Sequence, residues 1–564
     1  MTTLSKPIVS RYMFITKKRG DVMTTEAIGR NTVIHGRRLY KQMALEVAVR
    51  NPERYLSLIR IFDKFDGIKL DDEGILDVFS QLYIDDFLSD RNLDVSLMTK
   101  EEIKQYIKDN KTHNNEWGFP TGYQAAFTRY LKTLSEFGFI YSQYNQTLEI
   151  SPIGKAMVMG FVDLSEAFAV QSMRFWRRSP YRRVLNDFNY FKFIYEVLIK
   201  LKTKNKKLSY VQFMISLFSD DGNVDDFLNI IENNKFGSDL DKAYDFVFKK
   251  YSEVDEEHGK VSKQNSAFRD YGNTVFRVLQ LTGFITVEYS GLMLLSINSN
   301  RLDFLNELNN FDFSLSEEAK EDEYLYFKEI GSYHQKLRDL ILKYRAKEDY
   351  STSDYNKKIP NIMKSYKLSK EYLSDYLMDI SRDKKDSKVF WFIQAPIKFE
   401  FILTLYIYSC YGDEYVYKPN FKCDDAGIPY SHAPGNIGDI EIFNSTSYWL
   451  LEATLIKNKT QQLNNETVNL VRHINTNTNR EKYLELVAPF IHDDTKLMLR
   501  TASLVSMIEK KDFKFYSKAS STEEFVRNTA NKKNLKVIKD YSKVTFAEIK
   551  ALLDEFVSKT DLTK

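Results

Sequence analysis

The chain has 564 residues, 43% hydrophobic and 28% charged, with a formal net charge of +3; that length holds several domains with ample core, and the composition is that of a water-soluble globular protein, neither uniformly basic nor uniformly acidic. Its two cysteines, Cys410 and Cys423, exclude a disulfide framework and a cysteine zinc motif and suit a reducing compartment. The first residues lack an apolar signal core and no apolar run reaches the length of a membrane span, so a cytoplasmic protein with no membrane partner is expected.

The small net charge hides an uneven distribution. Residues 1–60 carry twelve Lys and Arg against four Asp and Glu. Further on, "LKTLSEFGFIYSQYNQTLEIS" at 131–151 is echoed by "FRVLQLTGFITVEYSGLMLLS" at 276–296. Each copy reads as a helix ending at Gly-Phe-Ile, a strand, a short turn and a second strand. Gly138 and Gly283 are the expected helix caps, and Asn145 and Gly291 fall in the turns. A helix followed by a two-stranded hairpin is the winged-helix pattern, which other small α+β modules share.

In the first copy the helix is expected over about Tyr123–Phe137, with Phe127, Leu131 and Leu134 inward and Gln124, Thr128 and Lys132 outward. In the second it is expected over about Ala267–Thr282, with Val275, Phe276 and Leu279 inward and Arg269, Asn273 and Arg277 outward. Arg reads guanine, and Asn or Gln reads adenine, in a major groove; the plain alternative is that each is an ordinary surface residue. Between the copies, "RFWRRSPYRR" packs Arg174, Arg177, Arg178, Arg182 and Arg183 among Phe175, Trp176 and Tyr181. Clustered arginines with aromatics bind phosphates, through forked hydrogen bonds and stacking. The other reading is a surface loop neutralised by acids elsewhere in the fold.

Residues 301–388 are highly charged and helix-rich, with Pro360 interrupting and "SRDKKDSK" at 381–388 reading as an exposed connection. After them comes an amphipathic segment, Pro396–Tyr411, carrying Glu400. The next run, Gly438 to Thr454, alternates apolar and polar residues on both sides of Asn444–Ser447 and predicts a β-hairpin. Folded about Ser445 and Thr446, it sets Phe443 opposite Tyr448, Glu441 opposite Leu450 and Asp439 opposite Glu452. Opposed Cβ atoms lie about 5 Å apart. Two carboxylates at that distance repel by roughly 3 kcal/mol at an effective dielectric of about 20. A hard divalent cation such as Mg²⁺ is the simplest group to offset this; on the hairpin alone the plainer reading is an exposed edge with two solvated acids.

Period two puts Asp439, Glu441, Glu452 and Thr454 on one face of the hairpin and Ile440, Ile442, Trp449, Leu451 and Leu455 on the other, the expected core face. A polar helix-like stretch, Lys459–His473, follows, with Gln462 and Glu466 four apart and so on one side. His473 reads as a helix-surface or phosphate-contact residue and His432 as a turn residue. Downstream, a buried strand is expected at Leu484–Ile491, a helix at Lys496–Lys510, a strand at Phe513–Ser517 and a closing helix at Phe546–Val557. A helix, two acidic strands and another helix make the scaffold of a metal-dependent nuclease.

The stretches "SHAPGNIGDIEI" and "YWLLEATLIKNKTQQLNNETVNLVRH", within 431–473, and "LVAPFIHDDT" at 486–495, resemble type IIS restriction endonucleases of the AlwI family, which includes nicking endonucleases of the BstNBI type. The specific likeness spans roughly residues 390–500. It implies an α+β multidomain protein: winged-helix-like DNA-recognition subdomains at 1–162 and 163–300, a helical linker at 301–388, and a PD-(D/E)XK-type cleavage domain of α/β character at 389–564.

By the same resemblance Asp439 and Glu452 are metal ligands, the Ala453 carbonyl completes the inner shell, and Glu400 supports a metal-bound water. Glu466 is the nearest match to a further helical acid, although Asn465 holds the strictly corresponding place. Thr454 stands where the motif has lysine and brings no charge; Lys457 or Lys459 could reach in from the loop. The resemblance implies Mg²⁺-dependent hydrolysis of double-stranded DNA a few base pairs outside a short asymmetric site. One active site per chain calls for a second catalytic domain, by transient dimerisation or from a small subunit, and a cognate DNA methyltransferase is expected in the same system. A strand-specific nickase, the large subunit of a heterodimeric enzyme and a non-catalytic winged-helix regulator are the alternatives.

Overall fold

Two segments of the chain repeat one order of elements, and glycines at fixed places let them do so. The computed structural model describes residues 41–559 apart from 89–94, 110–121, 252–264, 348–354, 385–388, 434–436, 458, 460–461, 464–466, 476–477 and 509–513. The chain divides into two units, Met1–Glu348 and Asp349–Lys564.

In the first unit, α1 (Arg54–Asp63), α2 (Asp72–Ile84), α3 (Lys100–Asp109) and α4 (Tyr123–Ser135) lead into a hairpin of β1 (Ile140–Tyr141) and β2 (Glu149–Ile150). After α5 (Pro152–Val158) and α6 (Leu164–Arg174) the order returns. It runs α7 (Tyr190–Thr203), β3 (Leu208–Ser209), α8 (Tyr210–Ser216), α9 (Val224–Asn233), α10 (Leu240–Tyr251), a π-helical segment Asn265–Gly272, α11 (Asn273–Leu281), β4 (Ile285–Tyr289) and β5 (Met293–Ile297). The second sheet has the order β3-β5-β4. In the first copy a single antiparallel bridge, Lys69 to Thr147, takes the place of the β3–β5 pairing.

Both expected caps hold left-handed backbone, Gly138 at φ +65° and Gly283 at φ +70°, as do the turn residues Asn145 and Gly291. A Cβ at Gly138 would also lie 2.2 Å from the Ile330 side chain, so glycine is required there twice over. The segment expected as a linker is shared out. Helices α12 (Leu302–Asn309), α13 (Glu323–Ile330) and α14 (Gln335–Lys347) belong to the first unit. In the second, α15 (Tyr355–Ser365) and α16 (Lys370–Ser381) precede α17 (Ala395–Tyr411), and α16 packs along α17.

The second unit is built on a five-stranded sheet of order β12-β11-β10-β9-β6. Its strands are β6 (Val416–Pro419), β9 (Ile440–Phe443), β10 (Ser447–Ala453), β11 (Glu481–Ala488) and β12 (Phe515–Ser521); β7 (Lys422–Cys423) and β8 (Pro429–Ser431) form a separate hairpin. The register of β9 and β10 is the one the alternation predicts, with Phe443 opposite Tyr448 and Glu441 opposite Leu450. β10, β11 and β12 run parallel, which explains the apolar run in β11, buried on both faces.

Helix α17 is not amphipathic: Ile397 to Ile407 are all buried, because β6, β8, β10, α16 and α20 (Thr522–Ala530) all pack on it. The hairpin face opposite the expected core is covered as well. Tyr448 and Leu450 pack there with Leu470 and Ile474 beside α18 (Thr467–His473) and with Leu499 of α19 (Asp493–Ile508). A long helix, α21 (Asn534–Lys559), closes the chain and begins well before the Phe546 expected from the sequence.

Candidate active site

Period two carries the Leu450 face of β10 on to Glu452, so the acid ends on the face that α18 covers. There His473, the last residue of α18, places Nδ1 2.6 Å from Glu452 Oε1, with both side chains nearly buried. His473 is therefore neither a surface residue nor free for phosphate. A sequence signal existed: a buried carboxylate needs a nitrogen partner, and His473 is the histidine on the helix after the strand.

Asp439 sits just before β9, where its Oδ2 accepts the Ala453 N–H at 2.8 Å. Its neighbour Gly438 admits the acids to each other: a Cβ there would lie 2.8 Å from Glu452 Oε1 and 2.4 Å from a Leu450 methyl. Burial, then the charges of Glu400 and Glu452, hold the Asp439 carboxyl well above its ordinary range. A hydrogen bond to Glu452 pushes it the same way, and two carboxyls can share one only if one of them keeps a proton. Glu441, on the same face, is fully engaged elsewhere, by Tyr448 Oη and Asn420 Nδ2 at 3.0 Å each and Lys418 Nζ at 2.9 Å.

Glu400 reaches the cluster from α17. Its Oε1 lies 3.7 Å from His432 Nδ1, and its Oε2 is buried without a hydrogen-bond partner. Asp439, Glu452 and Glu400 are thus coupled, and each is held from a different element. Among the described residues no three His, Cys, Asp or Glu side chains form a ready-made metal cage; the groups that could hold a cation are these carboxylates and the Ala453 carbonyl.

The remaining candidates divide. Thr454 is buried and its Oγ1 accepts the Ile456 N–H at 3.2 Å, so it closes the turn after β10. Lys457 pairs with Asp383 at 2.6 Å and Lys459 with Asp494 at 2.8 Å. Gln462 is wholly buried, donating to Phe490 O and accepting from His492 N and Thr495 Oγ1; it stitches two loops together. Glu466 and Asn465 lie outside the described residues.

The expected DNA-contact residues of the first unit fare differently. Arg174 and Arg177 are buried. Arg174 donates to Ile330 O and Ser332 O at 2.8 and 2.7 Å, and burial lowers its pKa to about 10. Arg177 donates to Ser219 O at 2.7 Å and to Lys41 O. Arg178 is ion-paired to Asp187, Glu317 and Glu321, and Arg182 to Glu136. Arg183 alone of the five is exposed.

Thr128, expected outward, is buried with its hydroxyl on Gln124 O, while Gln124 and Lys132 are half-buried. On α11, Asn273 accepts from the Tyr210 hydroxyl and Arg277 donates to Asn51 Oδ1 at 3.3 Å. The Arg269 side chain lies outside what is described. Helical period alone misplaced Thr128, because α4 is covered on more than one side.

A family profile described as AlwI restriction endonuclease matches residues 135–391 and 381–516. No curated protein matches the chain. Nine chains of solved structures match. Among them is the small subunit (R.BspD6I2) of the heterodimeric restriction endonuclease R.BspD6I, 17% identical, covering 32% of this chain and 98% of that one, at a TM-score of 0.25.

Proposed function

This chain belongs to the AlwI restriction endonuclease family and is a site-specific deoxyribonuclease, and we propose that it is a type IIS enzyme whose Mg²⁺-dependent active site is Asp439, Glu452 and Glu400. The observation that carries this reading is the convergence of two buried acids, Glu400 and Glu452, on the half-buried Asp439, whose carboxyl is pushed up by desolvation and then by the charges of the other two. Such a set is costly unless a cation is to be held. It also fits one: Asp439 and Glu452, with the Ala453 carbonyl, would bind it, and Glu400, whose Oε2 has no hydrogen-bond partner, would hold its water. When bound, such an ion lowers the pKa of a coordinated water and neutralises charge on the phosphate oxygens.

The chain's own residues do the positioning. The Ala453 N–H holds Oδ2 of Asp439, and the same carboxyl shares a hydrogen bond with Glu452, whose place a bound cation would take. His473 fixes the Glu452 carboxylate through Oε1. Thr454 adds no charge where the motif has lysine, and Glu466 is proposed as a further acid. The element order helix, strand, helix, helix, hairpin, with a β3-β5-β4 sheet, supports winged-helix recognition modules at 1–162 and 163–300 serving a PD-(D/E)XK-type cleavage domain at 389–564. Gln124, Lys132, Asn273, Arg277 and Arg183 remain candidates for DNA contact; Arg174, Arg177 and Thr128 do not.

One active site per chain means that cutting both strands needs a second catalytic domain, from another copy or a small subunit. Where none engages, the product is a nick. The test is wild type and Asp439→Ala on supercoiled and linear plasmid, with Mg²⁺ or EDTA. Discrete linear fragments that require both Mg²⁺ and Asp439 are expected; open circles alone mean a nickase, and sequence-specific binding without any cleavage refutes the proposal.

A further inference from the structure

We propose that His432 is a positioning residue for Glu400 and forms the rim of the active site; this rests on the nuclease reading above. Each of the three acids meets a nitrogen. Asp439 has the Ala453 N–H at 2.8 Å, Glu452 has His473 Nδ1 at 2.6 Å, and Glu400 has His432 Nδ1 at 3.7 Å. The last distance exceeds a hydrogen bond, so the pair is poised rather than closed, and hydrogen bonds of this kind tighten when substrate arrives.

The exposures set His432 apart. Its side chain is 47% exposed, against 11% for His473 and 5% for Glu400. It therefore links a buried acid to the solvent side. Its backbone is well held. It follows β8, which packs on α17, and the β7–β8 turn is locked by Asp424 N to Ile428 O at 2.9 Å and Ile428 N to Asp424 Oδ1 at 2.8 Å. Gly427 takes φ +88° in that turn. Rigid support of this kind is what a positioning group needs. Holding Glu400 by Oε1 would keep Oε2, the oxygen without a partner, available to the reacting water.

The experiment is a double-mutant cycle on supercoiled plasmid with enzyme in excess and Mg²⁺ present, comparing His432→Ala, Glu400→Gln and both together. Duplex affinity is measured in parallel with Ca²⁺ in place of Mg²⁺. His432→Ala should slow the first strand cut by roughly 10–100-fold, the usual cost of losing an outer-shell partner, with duplex affinity unchanged. The double variant should be no slower than Glu400→Gln alone, and His432→Gln, which keeps a donor, should recover part of the rate. Full activity in both His432 variants, or multiplicative losses in the double variant, overturns the proposal. So does a loss confined to duplex affinity, which would make His432 a phosphate contact. Full activity of Glu400→Gln would instead bring down the role assigned to Glu400 itself.

Discussion

The sequence holds two tight clusters of like charge, and the fold treats them in opposite ways. In 174–183, four of the five arginines are consumed internally, two by backbone carbonyls and two by carboxylates. In the acidic cluster the repulsion remains: Glu400 and Glu452 both push the Asp439 carboxyl upward, and one Glu400 oxygen has no partner. A cluster of charge marks a site only when the protein has not already neutralised it. That distinction depends on residues far away in sequence, such as Ser219, Glu317 and Ile330.

The sharpest way to break the contrast is Asp439→Asn. If the acids exist to hold a cation, cleavage should fall by roughly 10³-fold or more, since several kcal/mol of charge stabilisation are lost, while duplex binding persists. In EDTA at pH 8 the same variant should melt above wild type, because it removes a carboxyl whose charge desolvation and its acidic neighbours oppose. A lower melting temperature together with intact cleavage would make Asp439 a structural residue. On the other cluster, Arg174→Ala should cost stability rather than affinity. It takes a donor from Ser332 O and a cation from the face of Phe313, 4.9 Å away, for roughly 3–4 kcal/mol. The check is a melting curve of the variant beside its duplex affinity well below the transition. A selective loss of affinity would return Arg174 to the DNA surface.

The register of the hairpin was legible from Ile440 to Leu451: alternation fixes register when the turn is short, and Phe443, Glu441 and their partners fall where it says. The glycine caps at 138 and 283 were legible for the same reason, since one backbone conformation admits few residues. What period could not supply was which faces other elements would cover. It made α17 amphipathic, though five elements bury it all round, and it turned Thr128 outward. His473 on the helix after the strand hinted at a partner for Glu452, but nothing in the sequence pairs His432 with Glu400, which meet only through the packing of β8 on α17.

Glu485 offers a third case, a buried acid without an acidic cluster. Burial in β11 raises its carboxyl to about 7, against the pull of Ser520, Lys518 and Asn534, with Glu524 adding a small push upward. The folded state thus binds this proton more tightly than the unfolded one, so its contribution to stability is best at low pH and falls as pH rises from about 4.5 to about 7. Glu485→Gln should be more stable than wild type by about 2–3 kcal/mol at pH 8 and show no advantage at pH 4. Denaturant titrations at the two pH values decide it. A gain that does not change with pH would mean that packing, not ionisation, controls this position.

The smallest effect sharpens the arginine side. Arg183 is exposed, and its charge, with that of Lys132, draws down a Glu323 carboxyl that burial raises. It is the one arginine of the run that the fold leaves at the surface, so it is the one that can still meet a phosphate. Arg183→Ala should leave the melting temperature within error of wild type. It should weaken duplex binding about equally for all sequences and reduce the slope of log K against log salt by about one. Arg178→Ala, which removes a group already tied to three carboxylates, should leave that slope alone. If the two variants behave alike, internal neutralisation does not sort the arginines, and the contrast between the clusters has to rest on the acids.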